Sequence, residues 1–199
     1  MYGFAPFHCG PVVLLCIVAV GALSIIVRTL RNGVAPMPSS ARVQSKAISV
    51  VRDLGLPRLC TVVELGSGWG NVSLKVSRAL PEASVIGYEN SPVPFLFSVA
   101  ARRIVRALNL RFVRANFYRV SLREADLVLC YLSPDAMVRL QPKLAAELKP
   151  SALVVSTTFA LPSWEASRFV VADDMYQTRI YLYHANTCRR TTDDRAYPV

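Results

Sequence analysis

At 199 residues the chain is about one domain long, since domains usually run ~100–200 residues, and a second full catalytic domain is not expected. Apolar residues make up 53% and charged residues 18%, with mean hydropathy +0.35, which excludes a disordered polar protein and points to a segment suited to lipid. Lys plus Arg outnumber Asp plus Glu by 23 to 13, and the resulting +10 favours an anionic partner, either nucleic acid or a lipid surface. The five cysteines (Cys9, Cys16, Cys60, Cys130, Cys188) form no CxxC pair, and the only histidines are His8 and His184. Neither a metal centre nor a disulfide framework is expected from them.

Residues 1–27 contain no Asp, Glu, Lys or Arg, and 12–27 (VVLLCIVAVGALSIIV) are almost wholly aliphatic. Counting from Val12 through Leu30 gives 19 residues, close to the ~20 needed to cross a ~30 Å hydrocarbon core. One transmembrane anchor over 1–31 is therefore expected. A cleaved signal peptide fits less well, because the charged n-region and an A-x-A site are both absent. Arg28, Arg31, Arg42 and Lys46 follow the span, which directs the rest of the chain to the cytoplasmic side.

A Gly-, Pro- and Ser-rich stretch (NGVAPMPSS, 32–40) leads into a helix capped by Ser39 or Ser40 and ending at Gly55, a linker unit over 32–58. Apolar runs at 61–65, 84–88, 110–114, 127–131 and 152–158 then alternate with helical stretches near 72–80, 94–108 and 135–148. That alternation predicts a parallel sheet covered on both faces, an α/β doubly wound fold. Two further strands at 168–171 and 178–183, joined through Asp173–Asp174, predict a closing antiparallel hairpin and a seven-stranded sheet within 59–184. Pro142 weakens the continuity of the third helical stretch. A polar tail covers 185–199.

The most informative stretch is Val62-Val63-Glu64-Leu65-Gly66-Ser67-Gly68-Trp69-Gly70-Asn71, a buried strand entering a glycine loop and then a helix. Such a loop lets backbone amides approach a ligand, and the helix N-terminus attracts negative charge. A GxGxxG dinucleotide fingerprint would place its third glycine at position 71, which is Asn. The spacing is instead GxGxG with an acid two residues before it, and this resembles motif I of the class I S-adenosylmethionine-dependent methyltransferases. Glu89 closes the second strand 25 residues after Glu64, where doubly wound folds place a ribose-binding carboxylate; a solvated surface Glu is the plainer alternative. The resemblance implies that Glu64 orients the loop and that Gly66, Ser67, Gly68 and Gly70 hold the methionine end of S-adenosyl-L-methionine. It further implies that Glu89 with Asn90 holds the ribose and that Asn116 and Phe117 frame the adenine. Asn116 stands where the class usually has Asp.

Further stretches narrow the resemblance: Ala35-Pro36-Met37-Pro38-Ser39, Gly87-Tyr88-Glu89-Asn90-Ser91-Pro92, Leu129-Cys130-Tyr131-Leu132-Ser133-Pro134, the run 143–148 (KLAAEL) and Phe159-Ala160-Leu161-Pro162-Ser163-Trp164. Together with the anchor they are similar to the membrane-anchored seven-strand protein lysine methyltransferases, a group that includes the mitochondrial enzymes acting on the ATP synthase c-subunit and the adenine nucleotide translocase. Trp69 departs from that pattern, in which Asp is common. The resemblance implies methyl transfer to a lysine of a membrane or membrane-associated protein, with S-adenosyl-L-homocysteine as product and no metal.

The fourth strand ends in Cys-Tyr-Leu-Ser-Pro and not in the Asn/Asp-Pro-Pro-aromatic run of enzymes that methylate planar nitrogens. An apolar channel suits an amine, whose neutral form burial favours. Tyr131 is the candidate to orient that amine, and Pro38, Pro134, Pro162 and Trp164 are the candidates to line the channel; packing roles are the alternatives for Tyr131 and Trp164. Arg102, Arg103, Arg106, Arg111, Arg114, Arg119 and Arg123 form a basic strip, better suited to an anionic leaflet than to nucleic acid, for which no recognition motif is present. Two other functions fit the same residues: methylation of a lipid or hydrophobic small molecule, and a cofactor-binding module without catalysis.

Overall fold

The computed structural model describes residue 11 and residues 40–187. One sheet holds seven strands: β1 (Thr61–Leu65), β2 (Ser84–Glu89), β3 (Leu110–Arg114), β4 (Leu127–Cys130), β5 (Leu153–Thr157), β6 (Arg168–Val171) and β7 (Arg179–His184). Their spatial order is β3-β2-β1-β4-β5-β7-β6. The first five are parallel, and β7 runs antiparallel to both β5 and β6. Parallel strands need cover on both faces, and the Val- and Leu-rich runs supply it: Val62, Leu65, Leu127, Val128 and Val154 are wholly buried.

Among the described residues, four helices dress the sheet: α1 (Ala41–Arg52), α2 (Asn71–Ala79), α3 (Pro92–Ile104) and α4 (Pro134–Glu147). The Ser40 hydroxyl caps α1 by accepting from the Val43 amide at 3.3 Å, and Arg52 lies in the last turn, where the helix dipole favours a cation. Val43, Ala47, Ile48, Val50 and Val51 form its buried stripe. With α2 and α3 it covers one face, packing on Val62, Val85, Leu127 and Leu129. On the opposite face the described residues supply one helix, α4, whose Met137, Leu140 and Leu144 are wholly buried over Val63, Leu65 and Val154. Each such side chain contributes roughly 1.5–3 kcal/mol. Where a helix would complete this face, the chain has a 3-10 turn (Phe117–Arg119) and a loop at 158–167, from which Leu161 and Trp164 fill the space.

Pro142 does not break α4. The helix runs through it to Glu147, and the carbonyl that loses its partner, four residues earlier, belongs to Val138, a residue 56% exposed.

The expected transmembrane helix is corrected. Among the described residues no helix is long and apolar enough to cross a membrane; the longest, α4, has 14 residues where a hydrocarbon core takes about 20. The stretch 12–30 lies outside the described residues. A single-pass anchor, a bilayer contact made through it and a catalytic domain placed on the cytoplasmic side are accordingly withdrawn.

Register sets the site. Leu65 pairs with both Tyr88 and Cys130, and Cys130 pairs with Ser156, so the carboxyl ends of β2, β1, β4 and β5 lie along one edge. Chain order reverses between β1 and β4, the switch point where such sheets open a crevice.

Candidate functional site

The glycine loop leaves β1 at this switch point. The Gly66 and Ser67 amides both donate to the Tyr88 carbonyl at 2.9 Å, and the Gly70 amide closes the turn on the Ser67 carbonyl at 2.8 Å. Gly70 begins α2 at φ +84°, and a Cβ there would stand 2.6 Å from Phe112 Cζ and 2.8 Å from Ser98 Cβ. Only glycine lets the helix start this close to β3. At Gly68, φ +52°, a Cβ would meet nothing within 4 Å, so the loop presents its backbone to open space.

Two backbone amides fix the Glu89 carboxylate beside that space: Gly68 donates to Oε2 at 2.8 Å and Ser91 to Oε1 at 2.6 Å. An ionised carboxylate accepts about four bonds, so capacity for hydroxyl donors remains. Glu64 is buried and accepts from the Ser73 hydroxyl. Burial pushes its pKa up to about 7, the Ser73 bonds oppose that rise and the Glu89 charge adds to it. The Ser67 hydroxyl is buried with no hydrogen-bond partner among the described residues. An unsatisfied buried hydroxyl costs ~1–3 kcal/mol and is relieved by a bound polar group. The orphaned hydroxyl, the open face of Gly68 and the spare capacity of Glu89 fit the polar ends of an aminoacyl nucleoside.

Asn116 caps the 3-10 turn, its Oδ1 accepting from the Tyr118 amide at 3.0 Å, which leaves that oxygen one lone pair for a base. Phe117 reaches the underside of the loop, 4.0 Å from where a Gly66 Cβ would stand. Asn90 is half-buried next to Glu89. The Trp69 ring meets Phe97 of α3 edge-on, ring centroids 5.2 Å apart, and the loop's backbone bonds form around it.

Between α1 and the ends of β1, β4 and β5 lies a narrow cavity, partly open to solvent. Val43, Ala47, Ile48, Leu129 and Val155 give it apolar walls, and Gln44, Glu64, Tyr131 and Thr157 line it with polar groups. Among the described residues expected at the channel, Tyr131 reaches it and Pro134, Pro162 and Trp164 do not. Pro134 is exposed at the first turn of α4, and Pro162 is exposed in the loop after β5. Trp164 is buried under α4 on the opposite face, 6.3 Å from the Tyr183 ring, because the loop that carries it replaces a helix there. Pro38 lies outside the described residues. Burial pushes the Cys130 thiol up to about 12, so it stays neutral.

Sequence reasoning missed Gln44, Ser73 and Thr157. The signal for Gln44 was its place in the apolar stripe of α1, where a polar residue needs a reason to be buried. Among the described residues no group of three or more His, Cys, Asp or Glu side chains could hold a metal ion.

Known proteins place these features in a family. A solved RNA methyltransferase from Salinibacter ruber, in complex with S-adenosyl-L-homocysteine, superposes with a TM-score of 0.66 at 23% identity, over 75% of this chain and 94% of that one; it shares the fold. The adenine nucleotide translocase lysine N-methyltransferase of Mus musculus is 34% identical over 139 residues, covering 68% of this chain and 58% of its own length. The ATP synthase c-subunit lysine N-methyltransferase of Xenopus laevis is 30% identical over 104 residues, 52% of this chain and 45% of its own length. The chain thus spans about half the length of these curated relatives. The model of the ANTKMT methyltransferase domain matches residues 64–168. That match takes in 105 of the 199 residues, from the buried β1 carboxylate to the first residue of β6, and the chain belongs to the ANTKMT methyltransferase domain family.

Proposed function

We propose that the chain is an S-adenosyl-L-methionine-dependent protein-lysine N-methyltransferase acting on a membrane or membrane-associated protein. The observation that carries this reading is the continuity, along one sheet edge, of the glycine loop, the fixed Glu89 carboxylate and a mostly apolar cavity lined by Tyr131. The names of the relatives support the acceptor: one is named for the adenine nucleotide translocase and one for the ATP synthase c-subunit.

In this reading Gly66, Ser67, Gly68 and Gly70, with the N-terminus of α2, hold the methionine carboxylate, and the Ser67 hydroxyl gains its missing partner. Glu64 faces the methionine ammonium group. Glu89 and Asn90 take the ribose hydroxyls, while Asn116 and Phe117 frame the adenine. The cofactor supplies a sulfonium-activated methyl group. A lysine ammonium has a reference pKa of about 10.4, so presenting the neutral amine near pH 7 costs roughly 4–5 kcal/mol in water. The apolar walls contributed by Val43, Ile48 and Leu129 disfavour the charged form, and the Tyr131 hydroxyl orients the nitrogen. What the protein contributes is positioning and exclusion of water. The neutral Cys130 thiol takes no part.

The test is incubation of the full chain with methyl-tritiated cofactor and each of two acceptors, the adenine nucleotide translocase and the ATP synthase c-subunit. Label in acid-precipitable protein that maps to a lysine is expected. Label confined to the organic extract of added membranes would assign a lipid or hydrophobic small molecule instead. Calorimetric binding of S-adenosyl-L-homocysteine without turnover would leave a binding module.

A further inference from the structure

The turn between β6 and β7 is joined to the cavity from two sides. β6 runs parallel to β5, since both are antiparallel to β7, so Val171 ends at the same edge as Thr157 and the turn emerges there. Val171 pairs with Arg179 and Thr157 with Ile180, which puts the first residues of β7 beside a cavity-lining side chain. From the other side, Arg42 donates to the Asp173 carbonyl at 3.3 Å, and the next two residues of α1, Val43 and Gln44, line the cavity. The start of α1 and the 172–178 turn therefore form one continuous stretch of rim.

That turn is well tied. The Asp174 carboxylate accepts from both the amide and the hydroxyl of Thr178 at 2.7 Å, and the Ala172 amide donates to the Thr178 carbonyl at 2.8 Å. Yet its tip consists of Met175, 86% exposed, and Tyr176, 81% exposed. Two large apolar side chains held out on a stiff turn have the character of interface anchors. Charge distinguishes this end of the sheet as well. The arginine strip at 102–123 lies on α3, β3 and the turn after it, at one edge of the strand order, whereas β6 is the other edge. Beside the turn, Arg42 and Arg179 are offset by Asp173 and Asp174. A lysine-bearing segment is repelled at the β3 edge and meets a near-neutral surface here.

We propose that the 172–178 turn is a docking lip for the acceptor protein, with Met175 and Tyr176 seating apolar residues that flank the target lysine and the Asp173 carboxylate drawing its ammonium group towards the cavity; this rests on the lysine-methyltransferase reading above. The test is steady-state kinetics of the full chain on the adenine nucleotide translocase or the ATP synthase c-subunit, whichever the unaltered chain labels. For the double variant Met175→Ser/Tyr176→Ser, the KM for acceptor rises about tenfold, while kcat at saturating acceptor, the S-adenosyl-L-homocysteine affinity and the melting temperature stay put. Asp173→Lys raises KM several-fold at low salt, and added salt narrows the difference. Unchanged KM in both variants overturns the lip and leaves the lysine reading standing. Loss of a dimer in the double variant, without a change in KM, assigns the turn to self-association and overturns it too. If the unaltered chain labels neither protein, the lysine reading fails and the lip with it, and calorimetry then shows whether cofactor binding survives.

Discussion

Replacing Glu64 by Gln separates what this carboxylate does for the fold from what it does for the ligand. Its pKa stands near 7 in the folded chain against an ordinary 4.5, because burial disfavours the charge more than the Ser73 bonds favour it. Between those two values the folded chain keeps a proton that the unfolded chain has released. Stability therefore falls as pH rises from 4.5 to about 7 and is level above that. At 1.36 kcal/mol per pKa the loss is about 3 kcal/mol, carried in full at pH 8 and absent below pH 4.5. Glu64→Gln does not titrate at this position, so its gain over the unaltered chain grows by about 2.5 kcal/mol between pH 5 and pH 8. Any constant offset from repacking against Ser73 drops out of that comparison. Urea unfolding of both chains at pH 5, 6, 7 and 8 reads it directly. The affinity for S-adenosyl-L-homocysteine, measured by calorimetry at pH 8, should move the other way and weaken, because the neutral amide no longer attracts the ammonium group. Parallel stability curves across the pH range would refute the assignment of a costly buried charge at Glu64.

Two further changes probe the loop. Glu89→Ala removes the acceptor that the Gly68 and Ser91 amides hold in place; calorimetry should show S-adenosyl-L-homocysteine binding about 30-fold more weakly, and an unchanged affinity would place the ribose elsewhere. Gly70→Ala forces a side chain into φ +84° and against Phe112 Cζ at 2.6 Å. It should cost about 3 kcal/mol in urea unfolding, and a loss below about 1 kcal/mol would mean that the start of α2 shifts freely away from β3.

Much of this architecture is legible in the residues alone. Short Val- and Leu-rich runs bounded by Gly, Pro and polar turns mark the strands, and the observed ends fall within about a residue of the pattern, β1, β3 and β6 at the same positions. The glycine loop and Glu89 are legible because their function rests on backbone geometry and on the place of a strand end, and both follow from local spacing. The cavity is a different matter. Its walls come from α1, β1, β4 and β5, segments more than a hundred residues apart, and no local period says that Gln44 and Thr157 meet across the sheet end. Trp164 shows the same limit from the other side: the loop at 158–167 stands where a helix would cover the sheet, so a residue close to the edge in sequence is drawn into the opposite core. Pro142 disturbs its helix less than the residue type implies, and α4 runs on through it to Glu147.

The chain has two tryptophans, and they sit in unlike surroundings. Trp69 is half-buried within the glycine loop against Phe97, and Trp164 is 5% exposed in the core under α4. Intrinsic fluorescence consequently carries two separable signals. Occupation of the loop alters the Trp69 emission while Trp164 stays dark to it, and loss of the core shifts Trp164 to longer wavelength. A single cuvette can thus follow ligand uptake and unfolding in the unmodified chain, with Trp69→Phe and Trp164→Phe assigning each component.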